Sequence, residues 1–135
     1  MAKWSYGVVI TPLDMVREFA TVMGQPLDLP AESWTDPDNE VELLRYELIE
    51  EELNEFFVER DSSVNPTDAL KELADLVYVC YGYAATFGWD LDEAVKRVHA
   101  SNMSKLGDDG KPIYREDGKV QKGPNYKKPD LTDLV

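Results

Sequence analysis

Apolar residues recur at helical spacing through most of the chain, with polar residues between them. The stretch 47–59, ELIEEELNEFFVE, keeps this period although six of its thirteen residues are carboxylates. On a helix, Val41, Leu44, Leu48, Glu52 and Glu55 fall on one stripe. The aliphatic members predict that the stripe faces inward and carries Glu52 and Glu55 with it. A second stretch, 70–87, reads LKELADLVYVCYGYAATF and also predicts a helix. Within it Glu72 and Asp75 sit one turn apart. Glu72 lies near the stripe of Leu76, Val79 and Tyr83, and Asp75 lies at that stripe's edge. A short connection between the two helices predicts antiparallel packing, so that each presents an acidic pair to the other.

Local punctuation places the remaining elements. Residues 3–10 read as a short extended lead-in. Thr11 and Pro12 open a helix that runs to about Met23 and closes at Gly24, with Val16, Phe19, Ala20 and Met23 as its apolar face. Residues 25–39 hold Pro26, Pro30 and Pro37 and predict a loop, in which Trp34 reads as a core plug. The acidic helix spans about 38–60, and the next starts at 66–67 and closes at Gly88. Asp90 with Glu93 forms a capping box for a fourth helix, 91–106, ended by Gly107. Leu91, Val95, Val98, Asn102 and Leu106 share its apolar stripe, with Lys105 beside Asn102. Segments 111–116 and 119–122 flank Asp117-Gly118, the signal of a two-residue hairpin turn. Residues 126–135 form an arm without an assignable pattern. The expectation is an all-α fold in one domain, 1–135, with a helical body over 11–106 and a short C-terminal β-hairpin and arm over 107–135.

Composition narrows the function. A chain of 135 residues suits one domain with its own core. No apolar run is long enough to span a bilayer, and the first residues lack the regions of a secretory signal. Cys80 is the single cysteine and reads as a buried core thiol. These features predict a cytoplasmic protein with no membrane partner. The net charge is −13 and uneven: residues 1–106 carry eight Lys or Arg against twenty-one Asp or Glu, and residues 107–135 carry six of each. So acidic a body repels a nucleic-acid backbone, which argues against nucleic acid as a partner.

The acidic pairs carry the chemistry. Ionised carboxylates are not buried without something positive to meet them. Four of them converging from two helices make a cage for a hard divalent cation, which prefers oxygen ligands. Acidic helices are most often solvated faces, and Glu42, Glu47, Glu50 and Glu59 read that way. Sharing stripes with large aliphatic residues sets Glu52, Glu55 and Glu72 apart. The near absence of His and Cys excludes structural zinc. His99, the only histidine, has no Glu three residues before it, which argues against a di-iron bundle. Mg2+ or Mn2+ remains. Asn102 is either a core amide or a contact to substrate. Lys105, Lys111, Arg115, Lys119 and Lys122 are either solubilising charge or phosphate contacts. The acidic helix has further apolar residues around it, Tyr46, Ile49, Leu53, Phe56 and Phe57, so a homo-oligomer is expected.

Glu51-Glu52-Leu-Asn-Glu55, followed by Glu72-Leu-Ala-Asp75, resembles the Glu-Glu-x-x-Glu and Glu-x-x-Asp pair of the MazG-like all-α nucleoside triphosphate pyrophosphohydrolases. That superfamily includes helical dUTPases, dCTPases and phosphoribosyl-ATP pyrophosphohydrolase. Residues 98–106, VHASNMSKL, then Asp109-Gly-Lys111-Pro, Asp117-Gly-Lys119-Val and Lys122-Gly-Pro-Asn-Tyr126, are similar to its single-domain phage and bacterial branch. Met-Gly-Gln-Pro at 23–26 is similar to that branch too, so the resemblance covers nearly the whole chain. It implies a four-helix bundle completed by oligomerisation into a dimer or tetramer. It implies cleavage of a nucleoside triphosphate between the α and β phosphates, giving monophosphate and pyrophosphate. Carried over by position, Glu52, Glu55, Glu72 and Asp75 bind Mg2+ or Mn2+, and Glu51 is the base. The run of three glutamates leaves Glu50 as the other candidate for that role. Asn102 and Lys105 are implied at the nucleotide, and Lys111, Arg115, Lys119 and Lys122 at its phosphates, with Tyr126 as a further substrate-binding residue. Likeness to the MazZ-type phage enzymes implies a purine substrate, dGTP or GTP. A dUTP- or dCTP-directed enzyme is the alternative, and phosphoribosyl-ATP is disfavoured because the tail is unlike that family's. A non-catalytic helical interaction module is the reading from another class.

Overall fold

The computed structural model describes residues 9–62 and 64–135, so positions 3–8 of the expected extended lead-in lie outside the described residues. Five α-helices are described: α1 Pro12–Met23, α2 Ala31–Trp34, α3 Glu40–Ser62, α4 Pro66–Thr86 and α5 Leu91–Met103. Two short strands follow, β1 Ile113–Tyr114 and β2 Val120–Gln121, then a 3-10 turn at Thr132–Leu134. The fold is all-α, as expected. Contacts divide the chain into two units, Met1–Asp90 and Leu91–Val135.

In the first unit the boundaries follow local chemistry. Thr11 and Asp14 form a reciprocal capping box at the start of α1, and Gly24, at φ 68°, closes it in the left-handed region. The side chain of Asn65 accepts from the Thr67 amide and opens α4. The proline-rich segment is not wholly loop: Pro30 stands at the N-cap of the single-turn α2. A proline there suits a helix start, because that N–H would have no helical partner. Helix α3 packs against α4, and α1 packs on α4 from another side.

The core is small. Val16 and Ala20 of α1 are buried, and so is the run Ala84 to Phe87 where α4 ends. Beside it Tyr83, Phe87 and Trp89 cluster with ring centroids 5.4–5.8 Å apart. Trp34 stands edge-on to Trp89 and donates its Nε1–H to the Tyr83 hydroxyl at 2.7 Å. Trp34 is still 47% exposed, so it borders the core and does not plug it. Burial pushes the Cys80 thiol pKa up, although the side chain is only half-buried.

The phase of α3 differs from the expected stripe. Its covered positions are Val41, Glu42, Arg45, Leu48, Ile49, Glu52, Phe56 and Glu59, whereas Leu44 is 51% exposed and Glu55 is exposed. Apolar residues lie nearly all round this helix, so periodicity alone cannot select the face that meets α4.

In the second unit α5 turns a different face inward from the one expected. Ser101 is buried and Leu91, Ala94, Arg97 and Ser104 are partly covered, while Val95, Val98 and Asn102 are exposed. The polar face is covered because the arm docks there. Arg97 pairs with Glu93 and Asp133 and donates to the Asp130 carbonyl, and the Lys127 amide donates to Ser104 Oγ at 2.9 Å. Gly123 donates to the Lys105 carbonyl at 2.8 Å, and a Cβ there would meet the Leu106 carbonyl oxygen at 2.4 Å. Only glycine lets the arm approach α5 so closely.

The hairpin forms, with a different turn. Tyr114 faces Val120 and Ile113 faces Gln121 in antiparallel register. The Gly118 amide donates to the Arg115 carbonyl, and the Arg115 amide donates to that of Lys119. Glu116 and Asp117 are therefore the central turn residues, and Gly118 alone takes a positive φ, 80°. A three-residue loop closed by a left-handed glycine spares Asp117 the left-handed conformation that the two-residue form requires. Asp117 instead accepts the Lys119 amide at 3.0 Å. Among the described residues no helix is long and apolar enough to cross a membrane.

Candidate active site

The α3–α4 pair sets the geometry. The Tyr83 hydroxyl donates to Glu42 at 2.8 Å near the start of α3 and the end of α4. Near the other end of the pair, Glu52, Glu55 and Glu72 converge, with one carboxylate oxygen of each within 4.8 Å of the others. The two helices thus run antiparallel and bring three of the four expected ligands together.

Asp75 stands beside this set and outside it. Its Oδ2 accepts from Lys71 Nζ at 2.6 Å, and the same ammonium reaches Glu72 Oε1 at 3.3 Å. These bonds to Asp75 and then Glu72 hold the Lys71 pKa well above its usual range. Periodicity gave no reason to single out Lys71, since a lysine one residue before a glutamate is ordinary on a helix.

The carboxylates of this set crowd one another. Burial, then the charges of Glu55, Asp75 and Glu72, push the Glu52 pKa above the usual carboxylate range. Glu52 Oε2 and Glu72 Oε2 are buried without a hydrogen-bond partner. Buried acceptors normally have one. The donor set is all oxygen and converging, and Lys71 reaches only Asp75 and one oxygen of Glu72, so the set suits a hard divalent ion. The residues present therefore fit Mg2+ or Mn2+, with Glu52, Glu55 and Glu72 as its holders and Asp75 at the margin.

An open cleft of about 580 Å³ adjoins the cage, lined by Glu51, Asn54, Glu55, Val58, Glu59 and Glu72. Glu51 is exposed and shares that cleft with two cage residues. Glu50 accepts from the Tyr46 hydroxyl at 2.9 Å and is absent from the cleft lining. A second cavity, about 480 Å³, lies at the other end of α3 beneath Trp34 and includes Glu42 and Leu43.

The remaining predicted residues belong to the second unit. Asn102, Lys111, Arg115, Lys119 and Lys122 are exposed, and Lys105 is half-covered. Arg115 is paired with Asp117. Lys122 Nζ lies over the Tyr126 ring, 4.6 Å from its centroid. Arg45 was missed by sequence reasoning. That no carboxylate among the described residues pairs with it emerges only once the helices are packed.

No curated protein matches the chain. A family model described as phosphoribosyl-ATP pyrophosphohydrolase matches residues 16–102. The matched span holds both acidic motifs and stops short of the hairpin and arm. Its range runs from α1 through the cage to Asn102 and covers more than half of the protein. The chain therefore belongs to the phosphoribosyl-ATP pyrophosphohydrolase family, within the MazG-like all-α superfamily, and that membership implies hydrolysis of a nucleotide at a pyrophosphate bond.

Proposed function

We propose that this protein cleaves a nucleoside triphosphate between its α and β phosphates, releasing monophosphate and pyrophosphate, with a purine substrate, dGTP or GTP. The observation that carries the reading is the cage of Glu52, Glu55 and Glu72 with two buried, unpartnered carboxylate oxygens. The purine preference rests on likeness to the MazZ-type enzymes. Bound Mg2+ or Mn2+ would neutralise the cage and polarise phosphate oxygens, as phosphoryl transfer requires. Glu52, Glu55 and Glu72 would hold that ion, with Asp75 beside them as the fourth carboxylate. Glu51, in the cleft beside them, takes the proton from the attacking water. Its exposure, with no hydrogen-bond partner among the described residues, suits this role better than Glu50, which is engaged by Tyr46. Asn102 and Lys105 bind the nucleotide, and Lys111, Arg115, Lys119 and Lys122, with Tyr126, serve its phosphates.

The family match favours one second reading, that phosphoribosyl-ATP itself is the substrate. One assay separates the two: pyrophosphate release from dGTP, GTP, dUTP, dCTP and phosphoribosyl-ATP, each with Mg2+ and with Mn2+. Turnover of dGTP or GTP at least tenfold above the others supports the proposal. Preference for phosphoribosyl-ATP replaces it, and no release from any of the five sinks catalysis altogether.

Assembly belongs to the same reading. Leu53 and Phe57 of α3 are more than half exposed, as is Leu44, although all are large and apolar. A second copy of the chain covers such a face. Sedimentation at micromolar concentration is expected to give a dimer or tetramer, and a monomer would contradict it.

A further inference from the structure

Arg45 lies at the centre of the α3 face that α4 covers, between Val41 and Glu42 on one side and Leu48, Ile49 and Glu52 on the other. It stands seven positions before Glu52, so on an α-helix the two point within about 20° of each other and stand about 10 Å apart along the axis. The cationic side chain is thus aligned with the carboxylate cage on the same inward face. Its Nε is buried and has no hydrogen-bond partner. Among the described residues no carboxylate pairs with it, and Glu42, its neighbour one turn away, is bonded to Tyr83. Desolvation pulls its pKa down. Arg45 as a whole is only partly covered, but a buried guanidinium N–H normally has a partner, and the planar fork of arginine suits carboxylate or phosphate.

We propose that Arg45 is a substrate-binding residue whose missing partner is a phosphate oxyanion of the nucleotide held at the neighbouring cage. This rests on the nucleotide reading above. The single chain carries a large excess of carboxylates, yet none is placed on Arg45. A ligand that needs both a cation-loaded cage and a guanidinium is one with several phosphate oxygens in a row. Arg45 then offers two parallel N–H donors to one phosphate, which a lysine at that position cannot do.

The test uses the full chain with Mn2+ and three probes: inorganic pyrophosphate, dGMP and the unphosphorylated nucleoside deoxyguanosine. Binding is measured by calorimetry for the wild type, Arg45→Lys, Arg45→Gln and the volume-preserving Arg45→Met. We expect Arg45→Gln and Arg45→Met to weaken pyrophosphate or dGMP by at least tenfold, and Arg45→Lys by less. Deoxyguanosine and Mn2+ affinities should stay within twofold. Unchanged affinity for both phosphate probes overturns the proposal. So does an equal loss for deoxyguanosine, or dissociation of the oligomer with phosphate affinity intact, which would assign Arg45 to a partner chain's carboxylate. Should the variants fail to fold, phenylglyoxal labelling of the wild type decides: pyrophosphate or dGMP must protect Arg45 from modification, and absence of protection rejects the role. Failure of the nucleotide reading looks different, because the wild type would then release no pyrophosphate from any triphosphate.

Discussion

The two ends of α4 differ in their residues and in what they do: the N-terminal end carries Asp68, Glu72 and Asp75, and the C-terminal end is apolar and aromatic. Among the described residues, no buried side-chain polar atom at its C-terminal end lacks a partner. The Thr86 hydroxyl donates to the Gly82 carbonyl, the Asp28 and Leu29 amides donate to the Ala85 and Thr86 carbonyls, and the Tyr83 hydroxyl bridges Trp34 and Glu42. At its N-terminal end Glu72 buries an oxygen with no partner and shares its space with two more carboxylates. Burial with satisfied polar groups builds stability, and burial with orphaned charge stores a demand for a ligand. The difference marks which end holds the fold and which end is free to do chemistry.

The largest expected effects separate these ends. Glu51→Gln should lower kcat by roughly 10²–10⁴-fold, the usual worth of a general base, while leaving Mn2+ affinity unchanged. Gln at Glu52, Glu55 or Glu72, or Asn at Asp75, should lower turnover and Mn2+ affinity together, with the helical circular dichroism retained. Near-full activity in any two of these four variants breaks the cage. At the other end, Phe87→Ala should remove about 3–5 kcal/mol of stability, read by denaturant titration, because Phe87 is among the few buried large side chains. Its folded fraction should keep wild-type Mn2+ affinity. Loss of metal affinity there would mean that the two ends are not separate.

A smaller effect has the reverse sign. Glu52 binds its proton more tightly in the folded state than in the unfolded one, since its folded pKa is raised. The metal-free protein therefore loses stability as pH rises from the ordinary carboxylate value through the raised one. Glu52→Gln abolishes that loss, so above it the metal-free variant should be more stable than wild type, with a higher Tm. Adding Mn2+ should reverse the ranking. A variant less stable than wild type at pH 7 without metal would show that Glu52 is held by contacts and not strained by its neighbours.

The smallest effects concern the second unit. Lys119→Ala and Lys122→Ala should each weaken triphosphate binding by a few-fold, in keeping with exposed charges, and more than they weaken the monophosphate. Equal effects on both ligands would leave these lysines as solubilising charge.

Much of this was legible in the order of residues. Thr11, Gly24, Asn65 and Pro66 set helix ends through bonds to their own neighbours, which need no tertiary context. The Glu-Glu-x-x-Glu and Glu-x-x-Asp spacings likewise place carboxylates on chosen turns of two helices, whatever those helices touch. What spacing cannot do is choose among faces when apolar residues surround a helix. On α3 it favoured Leu44, and packing turned Arg45 inward. On α5 it favoured Asn102, and the docked arm covered Ser101 instead. The hairpin showed the same limit on a smaller scale, for Asp117-Gly118 permits two turn types and the backbone took the one less strained for aspartate. Helix ends, turn positions and acidic spacing are local, because each is decided by bonds within a few residues. The inward face of α3, the unpartnered oxygens of Glu52 and Glu72, the tie of Lys71 to Asp75 and the isolation of Arg45 are relations between helices. They come into being when α3 and α4 pack, because only then is water removed from one face and the distance between charges set.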